Sequence, residues 1–526
     1  MDFDDVLPHI GGYGRYQIFF FSFIVIPSNI LSGFGYINFL FVSGIPDHWC
    51  FVPELQFLSL ELQKNLSIPT EEVDGTRRYS KCLMFDVNYT QILQYYNNSR
   101  RNWPKVKCRH GWNYERSVYD TTLISEMNIV CDRSWMSTLA NSAYYIGGII
   151  GSLWFGYMGD KWGRKPAYIT AVVFYLGASV LSCFPTNYAA YILYRGLVGV
   201  TFPASFQIPL VIVMEIMSPD KRTRDGMLSN IYFSVGLALT AGIAYILRKW
   251  FTIALATSLP LLFLCITFFF VAESPRWLIS KNRYEEAENV VQKIAKYNGT
   301  KIEKNFLKMH LFSGKDERKE IKEANHSYLD LFRYPTMRKN FIILTIDCII
   351  ISLAYPVLSF GVSLLNINEY LASATSSLVE IPGIIFSWII MEKIGRMWSM
   401  VVTMSLGGLS CLCVSLFSLD YVWTINILTN LGKFFISGAW AIVYIYGCEL
   451  FPTDLRNSAI SATSLLANAA SIASPYVLML KNVDQMLPFV LVGVISLISA
   501  LLTLLLPETK DKHLPQTIAE SEMLRF

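Results

Sequence analysis

Four ionisable side chains stand where long apolar runs should carry none. Arg195 in "YRGLVG", Asp347 in "TIDCII", Glu380 in "SSLVEIPGII" and Lys433 in "NLGKFF" each interrupt a stretch built otherwise of aliphatic, aromatic and small residues. A charge deep in hydrocarbon costs roughly 2.5–3.5 kcal/mol on insertion scales, so each is a candidate for function or for a dedicated partner. The chemistry such groups offer together is recognition of a small charged molecule. Glu380 has two readings: a wall of a binding cavity, or a carboxylate paired with a Lys or Arg. Pro382 favours the first, because it loosens its helix and frees a carbonyl to line the cavity. Lys433 either tunes that cavity or pairs with a carboxylate. Arg195 opens an R-G-x-x-G stretch and reads as a gating residue or as a structural hydrogen-bond donor between helices. Asp347 reads either as a lone anion in the cavity or as a residue shallow enough to reach the cytoplasmic interface, the second being favoured. Trp440 and Tyr444 share one helical face at i, i+4 spacing. Ring faces attract organic ammonium groups by ~0.5–2 kcal/mol each.

The elements that position these groups are helices crossing a membrane. The chain has 526 residues, 53% hydrophobic and 16% charged, against about 25% charged in soluble domains. Twelve apolar runs occur, at about 17–41, 135–158, 167–184, 188–212, 226–247, 250–272, 339–363, 371–391, 398–418, 421–447, 458–480 and 484–506. Each is near the ~20 residues that span a ~30 Å hydrocarbon core. The segment 273–338 holds fourteen Lys and Arg, and the loops "GDKWGRK" and "SPDKRTR" are also basic. These are expected on the cytoplasmic side, with both termini. The expected organisation is an N-terminus of 1–16, a six-helix bundle over 17–272, a cytoplasmic loop over 273–338, a second bundle over 339–506 and a tail over 507–526.

The hydrophilic segment 43–134 falls outside. It carries Cys50, Cys82, Cys108 and Cys131 and sequons at Asn65, Asn88 and Asn97, so a disulfide-bonded, glycosylated extracellular loop is expected. Four cysteines allow three pairings, and the sequence selects none. In the cytoplasmic loop, Ala287, Val290, Val291 and Ile294 form one apolar stripe, the mark of an amphipathic helix packing under the membrane domain.

The chain also repeats itself at an offset of about 232–235 residues. "GDKWGRK" (159–165) is answered by "MEKIGRM" (391–397), "EIMSPDKR" (215–222) by "ELFPTDLR" (449–456), and "ESPR" (273–276) by "PETK" (507–510). Asp160, Gly163 and Arg164 thus match Glu392, Gly395 and Arg396; Glu215 and Arg222 match Glu449 and Arg456. Two parallel six-helix halves follow, with a substrate site between them near mid-membrane and access alternated by rocking. The acid–base pairs are expected to latch the cytoplasmic side, through charge pairing and helix-terminus dipoles.

At these motifs the sequence resembles the major facilitator superfamily. Its finer features look like the organic cation, carnitine and organic anion transporters: the Cys-rich loop, "YDTTLISEMNIVCDRSW" (119–135), "GSLWFGYMGDKWGRK" (151–165), "ESPRWLI" (273–279), "VEIP" (379–382) and "GKFFISGAWAIVYIYGCELFPTDLRN" (432–457). The resemblance implies an all-α polytopic carrier of small organic ions across the plasma membrane. It places Glu380 and Lys433 at the cavity, Phe206 where relatives carry Trp or Tyr, Gln207 beside it, and Asn230 and Phe233 where cation carriers have Gln and Phe. Asn468 falls where cation carriers have Asp and anion or carnitine carriers have Arg, so the family's charge selector is neutral here. The reading is a carrier of organic cations or zwitterions working as a monomer; an anion carrier or a non-transporting sensor is the alternative. No phosphate loop, metal-spaced His/Cys set or nucleic-acid patch appears, so an enzyme or ATP-driven pump is not expected. No cofactor is expected, and sodium or proton coupling stays open.

Overall fold

Uncharged apolar stretches have no water to satisfy their backbone in a bilayer, so they close their own hydrogen bonds as helices. A computed structural model describes residues 3, 6–73, 76–94, 103–303, 306–307, 330–361, 368–418, 421–510 and 522. The first half contains α1 (Arg15–Val42), α2 (Trp135–Lys161), α3 (Arg164–Leu181), α4 (Tyr188–Glu215), α5 (Pro219–Leu247) and α6 (Trp250–Thr267). The second contains α7 (Pro335–Phe360), α8 (Glu369–Ile394), α9 (Arg396–Val414), α10 (Val422–Leu450), α11 (Thr453–Ser471, resuming over Ser474–Met479) and α12 (Leu487–Thr503). Eight are long and apolar enough to span alone; α2, α3, α11 and α12 complete the halves. Several start earlier than the apolar runs do. α5 and α7 begin at Pro219 and Pro335, whose fixed φ and missing N–H suit the first helical position even among polar neighbours.

Each half has its own hydrophobic core. The pairings repeat: α2 packs on α4 as α8 does on α10, and α1 on α5 as α7 does on α11. Across the halves, α5 meets α8 and α2 meets α11, the two contacts that the repeat exchanges. The α2–α4 crossing is so close that a Cβ on Gly151 would overlap the backbone carbonyl of Val200. Gly151→Val is therefore expected to destabilise the protein by at least ~3 kcal/mol, measurable as a lower detergent melting temperature and reduced surface expression. A wild-type melting curve would refute the close packing.

Between α1 and α2 the chain builds a small cap. Its strands pair as His48–Cys50 with Trp112–Tyr114, Thr70–Val73 with Thr76–Tyr79, and Leu83–Phe85 with Lys105–Lys107. Disulfides join Cys50 to Cys108 and Cys82 to Cys131, fixing one of the three open pairings. His48 lies close to Cys82 and Cys131, but the disulfide leaves those two no thiolate with which to bind a metal. Asn65 accepts a hydrogen bond from the Tyr79 hydroxyl at 2.6 Å, and Asn88 is exposed. Asn97 lies outside the described residues. At the opposite, basic end the amphipathic helix forms as Tyr284–Asn298. Its Ala287, Val291 and Ile294 are buried, and Asn298 donates to the Ile10 carbonyl at 2.8 Å.

Candidate functional site

A cavity of about 410 Å³ opens between the halves, walled by α1, α2, α4 and α5 on one side and α7, α8, α10 and α11 on the other. Eight of the nine residues expected at a binding site line it: Phe206, Gln207, Asn230, Phe233, Glu380, Trp440, Tyr444 and Asn468. The ninth, Lys433, is not on the wall. It lies buried behind Glu380, with Nζ 2.8 Å from Oε1. Both readings of Glu380 thus hold at once, because it lines the cavity and is paired.

The rest of the Glu380 carboxylate is also engaged. Tyr355 on α7 donates to Oε1 at 3.0 Å and sits 3.2 Å from Oε2. Ser234 on α5 donates to Oε2 at 2.6 Å, reaching across from the other half. Burying two charges demands this degree of pairing and hydrogen bonding, since desolvation otherwise exceeds the attraction. The consequence is a wall carboxylate, the one found among the described lining residues, that is already neutralised.

Aromatic rings dominate the walls. On the first half Phe202, Phe206 and Phe233 lie at centroid separations of 5.3 and 6.1 Å along the sequence Phe202–Phe206–Phe233. On the second, Tyr355, Trp440 and Tyr444 follow at 6.1 and 5.6 Å. Tyr36 bridges the halves, 6.2 Å from Tyr355. The Asn468 amide makes no hydrogen bond among the described residues, and it faces the cavity rather than tying helices together. Asn230 donates to the Gly226 carbonyl at 3.1 Å.

Arg195 follows its structural reading. Buried, it donates to the Gly35 carbonyl at 3.2 Å and to Asn38 Oδ1 at 3.0 Å on α1, and its guanidinium lies 4.5 Å from the centre of the Tyr144 ring. Asp347 is fully buried between α7 and α12, where Ser499 and Thr503, the latter in the last turn of α12, hydrogen-bond its carboxyl at 2.5 and 2.9 Å. A hydroxyl pair on the facing helix can hold a carboxyl buried among helices whose hydropathy alone would exclude it.

The cap end of the cavity is sealed. The Tyr119 hydroxyl donates to the Glu369 carboxylate. Tyr370 donates to the Val118 carbonyl at 3.0 Å and stacks on Phe41 with centroids 5.5 Å apart. Burial pushes the Tyr119 phenol well above its usual range, and the Glu369 charge adds to this, so Tyr119 remains a donor at ordinary pH. Sequence reasoning missed this seal, because the partners lie 250 residues apart.

At the basic end, two clusters repeat. Arg164 contacts Asp160 at 2.8 Å and Glu215 at 3.5 Å, and its backbone N–H donates to Glu273 at 2.8 Å. Arg396 contacts Glu449 at 2.9 Å, and its N–H donates to Glu508 at 2.8 Å. Glu273 and Glu508 therefore cap α3 and α9, where the helix dipole favours an anion. Both turn at a left-handed glycine, Gly163 (φ 116°) and Gly395 (φ 95°), where any side chain would strike that same glutamate. Glu392 departs from its counterpart Asp160 by taking the Trp388 indole N–H at 2.6 Å. Arg222 donates to the Met214 carbonyl at 2.9 Å; the Arg456 side chain lies outside the described residues. The Arg164 and Arg396 ion pairs each close within their own half and brace its helix ends.

The family model described as "Sugar (and other) transporter" matches residues 93–518. The chain belongs to this family of the major facilitator superfamily. The sugar (and other) transporter family consists of multi-pass membrane carriers, not enzymes. Within it, the chain is 32% identical over 546 residues to a β-alanine transporter of Drosophila melanogaster, covering 99% of this chain and 89% of the relative. It is 33% identical over 532 residues to a carcinine transporter of the same organism, at 99% and 79% coverage. Human solute carrier family 22 member 2 is 31% identical over 536 residues, at 99% and 95%. In fold, the chain matches the proton:xylose symporter XylE bound to 6-bromo-6-deoxy-D-glucose. The TM-score is 0.62 at 16% identity, covering 95% of this chain and 98% of that one.

Proposed function

We propose that this carrier moves small organic cations or zwitterions across the plasma membrane by alternating access, with its cap outside and both termini in the cytoplasm. The observation that carries the reading is the Glu380–Lys433 pair behind an aromatic wall. A cargo ammonium can replace the Lys433 ammonium at Glu380, with Tyr355, Trp440 and Phe233 offering ring faces to the rest of its charge. If the cargo also carries a carboxylate, the freed Lys433 ammonium is at hand for it. A lone organic anion cannot take the place of the Lys433 ammonium at Glu380, and it meets a carboxylate on the wall. The names of the relatives support the same class, since β-alanine holds an ammonium and a carboxylate in one small molecule. The glycan sites Asn65 and Asn88, the disulfides and function as a single chain belong to the same proposal, as does Asn468 as a cargo contact.

Competition uptake in cells tests it. A labelled quaternary ammonium is challenged with zwitterions and aromatic anions, in wild type and in Asn468→Asp and Asn468→Arg. The unbonded Asn468 amide faces the cavity, so added charge there acts on cargo directly. Asp is expected to raise cation uptake about tenfold and Arg to lower it as much, each near 1.4 kcal/mol. Uptake of anions alone by the wild type would overturn the reading.

A further inference from the structure

Asp347 belongs to neither the cavity nor the braces, and its surroundings differ from those of every other buried charge in the helices. Glu380 has an ammonium; Arg195 has three acceptors on α1 and two rings. Asp347 has two hydroxyls, Ser499 and Thr503, and among the described residues no cation within ion-pair distance. α12 contributes no charged residue over Leu487–Thr503, and α11 none over 457–471. On α10, Lys433 is held by Glu380 and Glu449 by Arg396. On α8, Glu380 is spent on Lys433, Glu392 on Trp388 and Glu369 on Tyr119, while Lys393 is exposed; on α7 itself Arg338 is exposed and Lys339 has a partner of its own. Cys348, next in sequence, and Tyr446 on α10 lie in electrostatic reach of Asp347. An ionised carboxylate enclosed in apolar surroundings without a counter-charge neutralises itself by taking a proton. Here the neutral carboxyl can donate its O–H to one hydroxyl and accept from the other, which satisfies all three groups.

Asp347 also has a route to the basic end. Asn340 lies seven residues earlier, on the same face of α7, buried with both amide atoms unmatched. Tyr446 lies between Asp347 and the Glu508 brace, donating to the Pro507 carbonyl at 2.7 Å. The same helix carries the cargo wall: Tyr355, two turns on, holds Glu380, and Pro356 interrupts the backbone hydrogen bonding beside it. A cargo that displaces Tyr355 therefore acts on the helix that buries Asp347.

We propose that Asp347 is a proton-coupling site, loaded in the conformation seen here and emptied at the basic end when α7 parts from α12. The step is a simple transfer: the carboxyl O–H breaks, its proton passes to water on that side, and a carboxylate remains until the next loading. Proton and cargo occupy different places and can be aboard together, which permits symport, the direction proposed here; rivalry for one carboxylate would give exchange. This rests on the carrier reading.

Proteoliposomes separate the two. Uptake of labelled cargo without a gradient reports the carrier. With the outer solution acid, wild-type uptake is expected to rise several-fold, and a dye inside should report protons entering with cargo. Asp347→Asn, which keeps both hydroxyl contacts, is expected to transport with no response to the gradient. Stimulation that survives in Asp347→Asn overturns the proposal, as does a wild type that ignores the gradient or is inhibited by it. Should the variant fail to fold, a wild type whose cargo brings in no protons still overturns the proposal, and Asp347→Ser takes the place of Asp347→Asn in the gradient assay. If no cargo moves at all, the carrier reading is what fails, and the infrared carboxylic acid band of the purified wild type tests the proton on its own: its loss in Asp347→Asn or Asp347→Ser is expected, and its absence from the wild type overturns the proposal.

Discussion

Changing Glu380 to Gln is expected to cut cation uptake by ten- to a hundredfold and to lower the melting temperature in detergent. Two effects combine. Cargo loses a charge-assisted contact worth about 1.5–3 kcal/mol, and Lys433 is left buried without its counter-charge, a loss of about 3–5 kcal/mol. Lys433→Met should destabilise equally, because it strands Glu380 in the same place. The double variant Glu380→Gln with Lys433→Met is expected to recover most of the stability and none of the transport. That separation is the useful part, since a purely structural pair would regain both. Stability losses that simply add in the double variant would show that the two residues do not act as a unit.

The second large effect concerns the seal. Tyr119→Phe removes the phenol that donates to Glu369, and Tyr370→Ala removes both the bond to Val118 and the ring on Phe41. The Tyr119 bond to a charged group is worth about 1.5–3 kcal/mol, and the Tyr370 bond to a neutral carbonyl about 0.5–1.5 kcal/mol with the lost ring contact added, so either change should raise the population open at the cap end by about ten- to a hundredfold. A cysteine at Phe233, on the cavity wall, should then react correspondingly faster with an impermeant thiol reagent supplied from the cap side. Equal labelling rates in wild type and variants would mean that other contacts hold this end closed.

Much of this arrangement can be read from the chain. The apolar runs locate the helices because length and lack of charge are one-dimensional properties. The repeated "G-D/E-K-x-G-R" anticipates the paired braces, since the left-handed Gly163 and Gly395 and the arginines after them are local. Their partners are not. Glu273 and Glu508 lie more than a hundred residues from the helix starts they cap, and pattern alone ranks them with any other glutamate in a basic loop. The surroundings of Asp347 escape the sequence for a related reason: what holds the buried carboxyl is a Ser and a Thr on α12, 152 and 156 residues away. Lys433 is the intermediate case. Pairing with a carboxylate is foreseeable from type and depth, but which side of Glu380 it occupies depends on how α8 and α10 pack.

The cap is bound covalently to the first half, through the disulfide at Cys131 just ahead of α2, yet its Tyr119 grips a residue of the second. It is in that sense a handle fixed to one door and resting against the other. A molecule that grasps the cap need not reach the cavity to affect passage. An antibody fragment that pries Tyr119 from Glu369 would speed opening on that side, whereas one that clamps cap to α8 would stall the cycle with cargo inside. Control of this carrier from its water-exposed surface is thus built into a contact of a few side chains.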